Sequence, residues 1–273
     1  FRIRYSLNSP ITFIHIKYFN CYFFTYFISF IIIFLVTVTF YLHNFSLISK
    51  PVTYLFNKKL PIYSVDTTEK EIALTFDINW AENDYLEDIL KILDKYDVKA
   101  TFFIIGKWIT YNENNTKNFI AIKNAGHEIG NHSYVHPMFS KISNEQIEEE
   151  LNKTEKIFNN IAGINSKIFR FPSGDFNESS LTKVESMGYN CIQWNLDSID
   201  YKESGADIEY NRIIKKVKPG DIILFHNNAK YTPGNLDKII LKLSNDGYEF
   251  KTISEMIYKN GSIDDNGIQH KSN

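Results

Sequence analysis

Residues 71–105, EIALTFDINWAENDYLEDILKILDKYDVKATFFII, contain one complete copy of the pattern that decides the fold. Residues 71–77 form a short apolar run typical of a buried strand. Apolar residues then recur at helical spacing over 86–93, and residues 99–105 form a second apolar run rich in Phe and Ile. Because a helix separates two strand-like runs, the order predicts a pair of parallel strands joined by a helical crossover.

The same alternation continues to about residue 258 and gives about seven strand–helix units. Such a series predicts a mostly parallel sheet, either a closed or distorted (β/α) barrel or an open doubly wound sheet. No G-x-G-x-x-G run follows the first strand, which weakens a dinucleotide-binding interpretation. Between these units, Ser143 and Gln146 have the spacing of a helix capping box.

The composition limits the possible partners. The chain has 273 residues, of which 44% are hydrophobic, so a packed core is expected over most of its length. The formal net charge is -2, and basic residues form no cluster of the kind that binds phosphate backbones, which argues against a nucleic-acid partner. Cys21 and Cys191 are the two cysteines, and their positions predict no disulfide framework.

The first part of the chain differs from the rest. After a short segment, residues 1–18, residues 19–42 contain no charged side chain and are long enough to cross a hydrocarbon core of about 30 Å, which predicts a transmembrane helix that anchors the protein in a membrane. A cleaved signal peptide is the alternative, but no small-residue cleavage site follows. We expect a stalk over residues 43–65 and a disordered tail over 259–273.

A pair of histidines stands out in the run GNHSYVHP, residues 130–137. Four residues separate His132 from His136, and two imidazoles at this spacing can bind one divalent metal ion. Chance produces H-x-x-x-H often, so the pair alone does not decide between a metal site and two ordinary histidines.

Other ionisable residues recur where predicted strands end, namely Asp77, His132, Arg170, Asp197 and His226. In a (β/α) barrel the carboxyl ends of the strands converge on one face, where active sites are built. Carboxylates, histidines and an arginine gathered there are the side chains that a metal-dependent hydrolase needs.

Five short motifs occur in order: Thr75-Phe76-Asp77, His132-Ser133-Tyr134-Val135-His136, Arg170-Phe171-Pro172-Ser173-Gly174, Asp197-Ser198-Ile199-Asp200 and Leu224-Phe225-His226. Together they resemble the motifs of polysaccharide deacetylases, the NodB homology domain of carbohydrate esterase family 4. The resemblance covers about Glu69 to Tyr258, so residues 66–258 are expected to form this domain. It implies a distorted (β/α) barrel that removes acetyl groups from N-acetylated sugars with a divalent metal, Zn²⁺ or Co²⁺.

The resemblance also implies a role for each motif residue. Asp77 would be the general base, held in place by Arg170. His132 and His136 would bind the metal. His226 would protonate the leaving amine, with Asp197 setting its orientation and pKa. The oxyanion and substrate pocket would be formed by Ser173, Leu224, Pro172 and Trp194.

One position departs from the family pattern. The family usually has a second aspartate after the first, and that residue binds the metal, whereas this chain has Ile78. Asn79-Trp80 follows, which resembles a sporulation-associated branch. Two histidines with Asp77, Asn79 or water would hold the metal with lower affinity, or Glu82 or Asp84 would substitute, or the site would be weak or inactive. The first interpretation is preferred because the other catalytic residues are present.

The sequence therefore predicts a metal-dependent hydrolase that removes N-acetyl groups from peptidoglycan or a chitin-like cell-wall glycan. Because that substrate lies outside the cytoplasm, the domain is expected on the outer side of the cell membrane. A non-catalytic glycan-binding or sporulation structural protein is the main alternative, and an O-acetyl xylan esterase is another.

Overall fold

The computed structural model describes residues 26–40 and 59–272, which belong to two units of the chain. In the first unit, residues 26–40 form helix α1. Within the described ranges, no helix combines the length and apolar character needed to cross a membrane. The predicted membrane span also includes residues 19–25 and 41–42, which, like the predicted segment 1–18, lie outside the described residues.

The second unit carries the alternating strands and helices. Its strands are β1 Ser64–Val65, β2 Glu71–Ile78, β3 Thr101–Ile104, β4 Glu128–Asn131, β5 Ile168–Phe169, β6 Asn190–Cys191, β7 Leu196–Asp197, β8 Ile222–His226, β9 Glu249–Phe250, β10 Ser262–Ile263 and β11 Ile268–His270. Its α-helices are α2 Leu86–Lys95, α3 Gly106–Ile109, α4 Glu113–Asn124, α5 Asn144–Ala162, α6 Glu178–Ser186, α7 Ala206–Ile214, α8 Thr232–Asn245 and α9 Ile253–Met256. Two 3-10 turns cover Pro172–Gly174 and Asp200–Lys202.

Seven parallel strands form one curved sheet in the order β6-β5-β4-β3-β2-β8-β7, and β9 adds to one end of β2. The central strand β2 pairs with β3 on one side and β8 on the other, and this register places Asp77 beside His226. The predicted α/β fold with about seven parallel strands is confirmed. The sheet is a half-barrel rather than a closed barrel, because β6 and β7 lie at opposite edges of the described sheet.

A gap therefore remains between β6 and β7. The first residues of the unit pair with the chain at β6, on one side of this gap. The backbone N–H of Ile62 donates to Cys191 O over 2.8 Å, and the N–H of Gln193 donates to Ile62 O over 2.7 Å. Ile62 and Val65 are both buried. Residues 62–65 thus belong to the folded domain, which corrects the predicted stalk boundary at residue 65; residues 43–58 lie outside the described chain.

The alternation of side chains along β2 separates the core from the site. Ile72, Leu74, Phe76 and Ile78 belong to the apolar cluster formed with the helices. The ring of Phe76 stacks on Phe102, with centroids 5.0 Å apart, and burying one such side chain contributes about 1.5–3 kcal/mol. Because successive strand residues point to opposite faces, the intervening Thr75 and Asp77 lie on the other face.

Helix α5 begins and ends with recognisable capping residues. Ser143 and Gln146 form the predicted capping box at the start of α5, and Gly163 ends that helix with a left-handed φ of 66°.

The predicted disordered tail is wrong for residues up to 272. Strands β10 and β11 pair with each other, and β11 also pairs with β1 to make a three-stranded sheet. The Gln269 side chain accepts from Tyr258 N and donates to Tyr258 O, and His270 bonds to the Asp66 carboxylate over 2.8 Å. The polar composition suggested disorder, but backbone pairing rather than apolar burial holds these short strands.

Candidate active site

The carboxyl ends of the parallel strands surround one cavity of about 410 Å³. Its lining includes Asp77, Asn79, His136, Ser173, Trp194, Asp197, Tyr201, Leu224, His226 and Asn228. His132, Arg170 and Pro172 are buried. Most of the predicted site residues are thus cavity-lining, whereas His132, Arg170 and Pro172 are not. Tyr201 and Asn228 were not predicted, because no motif marks them.

The central ion pair joins Asp77 to Arg170. Arg170 Nη1 donates to Asp77 Oδ1 over 2.8 Å and to Thr75 Oγ1 over 2.9 Å, and Nη2 donates to Gln193 O over 3.0 Å. The guanidinium carbon also lies 4.0 Å from the centroid of the Phe103 ring. These contacts fix the guanidinium on several sides, so the carboxylate that it binds is held in one orientation.

The pKa of Asp77 lies below its usual value. Burial acts to raise this pKa, but the positive charge of Arg170, the nearby His132 and His226, and the hydrogen bond from Arg170 together outweigh burial. Asp77 is therefore a carboxylate at neutral pH, which is the form that a general base needs.

His132 presents an unpartnered ring nitrogen to this carboxylate. Its Nδ1 lies 2.9 Å from the carbonyl oxygen of Arg170, and since a carbonyl only accepts, Nδ1 carries the proton. Nε2 is buried without a hydrogen-bond partner and lies 3.6 Å from Asp77 Oδ2. Burial lowers the pKa of His132 to about 4, so the imidazole is neutral and its Nε2 lone pair is free.

His136 lies beside His132, with ring centroids 4.9 Å apart. Burial lowers its pKa as well. Both Ser133 and His136 have left-handed backbones, with φ of 68° and 62°, and the N–H of His136 donates to Ser133 Oγ over 2.9 Å. Such φ values are uncommon for these residues and cluster at functional sites, where the surrounding contacts hold them.

The residues fit a metal ion in part. Two neutral imidazoles, one with an orphaned buried nitrogen, suit Zn²⁺ or Co²⁺, but catalytic zinc sites usually have three protein ligands. Across residues 26–40 and 59–272, no group of three or more His, Cys, Asp or Glu side chains is arranged to hold a metal. Ile78 is fully buried in the apolar cluster and offers no donor.

The residues proposed from the sequence as a third metal ligand are Asn79, Glu82 and Asp84. Each has hydrogen-bond partners or an exposed position that does not assign it to the metal site. Asp84 Oδ1 accepts from Leu86 N and from Asn227 Nδ2, so it holds a loop and a helix start. Glu82 is exposed. The backbone of Asn79 is held by the Asn227 side chain, although Asn79 does line the cavity.

His226 is bound by Asp200 rather than by Asp197. His226 Nδ1 lies 2.7 Å from Asp200 Oδ1, and the backbone N–H of His226 donates to Asp200 Oδ2 over 2.7 Å. The Asp197 carboxylate instead accepts from the N–H of Ile199. The predicted role of Asp197 in orienting His226 is therefore wrong, whereas its charge does contribute to raising the pKa of His226. The motif contains both aspartates, and nothing in their spacing distinguishes the partner of His226.

The pKa of His226 lies above its usual value. Burial acts to lower this pKa, but the hydrogen bond and charge of Asp200, with smaller contributions from Asp77 and Asp197, outweigh burial. Asp200 occupies Nδ1, so Nε2 is the ring nitrogen that remains to donate a proton.

Replacing Asp200 with asparagine should lower the pKa of His226, because the imidazolium loses its bound carboxylate. An NMR titration of the His226 Cε1–H signal measures this directly. Asp197→Asn is the matched control, for which a much smaller decrease is expected. Equal decreases in the two variants would contradict the assignment of Asp200 as the partner.

The remaining predicted pocket residues come from neighbouring loops and strands. Ser173 lies in the 3-10 turn Pro172–Gly174 with a left-handed φ of 55°, and it lines the cavity together with Trp194 and Leu224. Leu224 is 2% exposed and, together with the Trp194 and Tyr201 side chains, gives the cavity apolar surface beside its ionisable groups.

Several known proteins are similar to this chain in sequence. The family model for polysaccharide deacetylase matches residues 64–192. The chain is 36% identical over 206 residues to a peptidoglycan-N-acetylglucosamine deacetylase of Bacillus cereus, a match that covers 71% of this chain and 70% of the relative. It is 34% identical to the uncharacterized protein YlxY of Bacillus subtilis, covering 72% of this chain and 60% of YlxY, less than two thirds of that relative.

A solved structure is also similar. The structure of a carbohydrate esterase family 4 pseudoenzyme from Bacillus anthracis superposes with a TM-score of 0.68 at 32% identity, covering 78% of this chain and 73% of that one. A mutant of this pseudoenzyme is described as having restored enzymatic activity. These matches, with the fold and the arrangement of the site, show that the chain belongs to the polysaccharide deacetylase family.

Proposed function

We propose that this protein hydrolyses the N-acetyl group of amino sugars in cell-wall peptidoglycan, with a metal ion held less tightly than in relatives that have a third ligand. The observation that carries the proposal is that Asp77, paired with Arg170, and His226, paired with Asp200, line the same cavity. The similarity to a peptidoglycan-N-acetylglucosamine deacetylase supports this sugar as the substrate.

The side chains divide the work of amide hydrolysis between them. Asp77 is a buried carboxylate that accepts the proton of the attacking water, and Arg170 keeps it oriented and ionised. His226 carries a proton at higher pH than an ordinary histidine, which lets it protonate the nitrogen of the leaving amine. An amide needs such an acid because an unprotonated amine is a poor leaving group.

Two further contacts orient the acetyl group. Ser173 and Leu224 line the cavity. The backbone N–H of Ser173 would stabilise the negative charge that develops on the carbonyl oxygen, and Leu224 would offer an apolar surface for the methyl group. His132 and His136 would hold the metal ion, which supplies carbonyl polarisation and a lower pKa for a bound water.

A non-catalytic glycan-binding role is the second candidate. Ile78 is fully buried and gives no ligand, and a solved relative of similar fold is described as a pseudoenzyme. In this case the cavity would bind the acetylated sugar without turnover. Tyr201, 53% exposed beside the His226 ring, offers an aromatic surface to a sugar in either case.

A deacetylation assay distinguishes the two candidates. The full chain is incubated with peptidoglycan or chitooligosaccharides and Zn²⁺ or Co²⁺, and mass spectrometry follows the loss of acetyl groups. We expect slow loss from the wild type and none above background from Asp77→Asn, which keeps the shape but removes the base. Absence of acetyl loss with retained glycan binding would instead support the non-catalytic role, and loss from O-acetyl substrates alone would indicate an esterase.

We also propose that the domain acts outside the cytoplasm, because the peptidoglycan polymer is there. Protease accessibility in intact cells stripped of their wall tests this location.

A further inference from the structure

A buried carboxyl that the proposed chemistry does not use lies behind His226 and Asp200. Glu209, on α7, is 5% exposed, and its Oε1 lies 3.3 Å from Thr232 Oγ1. The same Thr232 oxygen lies 3.0 Å from Asp200 Oδ2. Thr232 is fully buried and Asp200 is 1% exposed. Together, the side chains form one buried hydrogen-bonded network: His226, Asp200, Thr232 and Glu209.

This network has too few protons for every contact to be a hydrogen bond if both carboxyl groups are ionised. A threonine hydroxyl has one hydrogen, so it donates to only one of the two carboxyl groups that lie within hydrogen-bond distance. Asp200 already accepts from His226 Nδ1, from the backbone N–H groups of His226 and Tyr201, and from Thr232. If Glu209 were ionised, it would compete with Asp200 for the single Thr232 proton, and the carboxylate that lost this donor would be destabilised by its burial.

A protonated Glu209 removes the conflict. Its O–H donates to Thr232 Oγ1, and the Thr232 O–H then donates to Asp200 Oδ2, so every group has a partner. We propose that Glu209 is a positioning residue for the proton donor His226: its protonated carboxyl fixes the Thr232 hydroxyl as a donor to Asp200, which in turn holds the imidazole. The role as proton donor rests on the proposed function.

The electrostatic setting of Glu209 agrees with this. Burial and the negative charge of Asp200 raise the pKa of Glu209 to about 7, although contacts with the Asn235 and Thr232 side chains act in the opposite direction. The two α8 side chains that contact Glu209, Asn235 and Thr232, are both neutral. Lys202 and Arg212 line the same small surface cavity as Glu209, but Arg212 Nε is bonded to Asp197 O over 2.6 Å. Within the described chain, neither cation forms an ion pair with Glu209.

The protonation of Glu209 therefore changes the charge of this network near neutral pH. Below a pH of about 7, Glu209 is neutral. Above it, Glu209 ionises and adds a second negative charge behind His226, which favours the imidazolium. Glu209→Gln stays neutral and keeps an N–H donor for Thr232 at every pH, so it matches the wild type at low pH and differs at high pH.

The test is an NMR titration of the full chain labelled with ¹³C at the glutamate carboxyl and the histidine Cε1. We expect the Glu209 carboxyl to titrate near pH 7, and the His226 midpoint to fall by about 0.5 unit or more in Glu209→Gln because the second charge is lost. A Glu209 carboxyl that titrates in the ordinary glutamate range, or identical His226 curves in the two proteins, would overturn the proposal.

A second pair of variants tests the link through Thr232. Thr232→Val removes one donor from Asp200 and should shift the His226 midpoint upward, whereas Thr232→Ser keeps the hydroxyl and should leave it unchanged. A purely structural role would lower thermal stability in Thr232→Val without moving this midpoint, and that result also counts against the proposal. Because neither substrate nor metal is present, a negative deacetylation assay leaves these titrations unaffected.

Discussion

Replacing Arg170 with methionine should lower the free energy of unfolding by about 3–5 kcal/mol, which is a large fraction of the stability of an ordinary domain. Arg170 is fully buried, and it is the direct partner of the Asp77 carboxylate. Without the guanidinium, Asp77 is a buried charge with no counterion, and the acceptors on Thr75 and Gln193 also lose a donor. Urea denaturation at pH 7 measures the change.

The matched control removes both charges. In the double variant Arg170→Met/Asp77→Leu no unpaired carboxylate remains, so most of the lost stability should return, because a buried ion pair is often replaceable by apolar side chains. If the double variant is no more stable than Arg170→Met, the destabilisation comes from packing and not from the unpaired charge of Asp77. The single variant Asp77→Asn serves as a reference for the effect of losing the carboxylate alone.

His132→Ala should remove most of the affinity for Zn²⁺, a loss of about 100-fold or more, because it takes away one of the two histidines proposed to hold the ion. In the wild type the Nε2 atom of His132 is buried without a partner, so Zn²⁺ binding satisfies it and should raise the melting temperature. In His132→Ala the melting temperature should no longer depend on Zn²⁺ concentration. Isothermal titration with Zn²⁺ gives the dissociation constants of both proteins.

His270→Ala is the control for this experiment. His270 lies on β11 and bonds to the carboxylates of Asp66 and Asp264 in the small sheet. If surface histidines account for the bound Zn²⁺, His270→Ala will lower the affinity as much as His132→Ala, and the assignment of His132 is then wrong. A wild type that shows no Zn²⁺-dependent stabilisation at millimolar concentration would favour the glycan-binding candidate.

The parallel sheet was predictable because its signal is local. Residues 71–105 contain strand, helix and strand in a continuous apolar pattern, and the structure has β2, α2 and β3 there. Asp77 and His132 were proposed as site residues because each lies at the end of a predicted strand, and His136 because it follows His132 at the spacing H-x-x-x-H. The apolar pattern does not determine how strongly the sheet curves. For this reason the sequence left a barrel and an open sheet as alternatives, and the half-barrel was not predicted.

The partner of His226 depends on backbone geometry that the sequence does not display. Ile199 has a left-handed φ of 55°, unusual for a β-branched residue, and the 3-10 turn Asp200–Lys202 follows it. This turn brings Asp200, rather than Asp197, to the histidine. Glu209 and Thr232 were missed for a related reason: they lie on different helices, and only the packing of α7 against α8 brings their side chains together.

The small sheet joins the two ends of the domain. Val65 on β1 pairs with Gln269 on β11, although about two hundred residues separate them in the chain. Contacts between such distant residues form late and slow the folding of a chain. A ribosome or a secretion channel that delivers this polypeptide from its amino end must release the chain as far as residues 268–270 before strand β1 meets its partner. Newly made molecules will therefore pass through a stage in which the main sheet is present but its two ends are unjoined, and they are most exposed to proteases and chaperones at that stage.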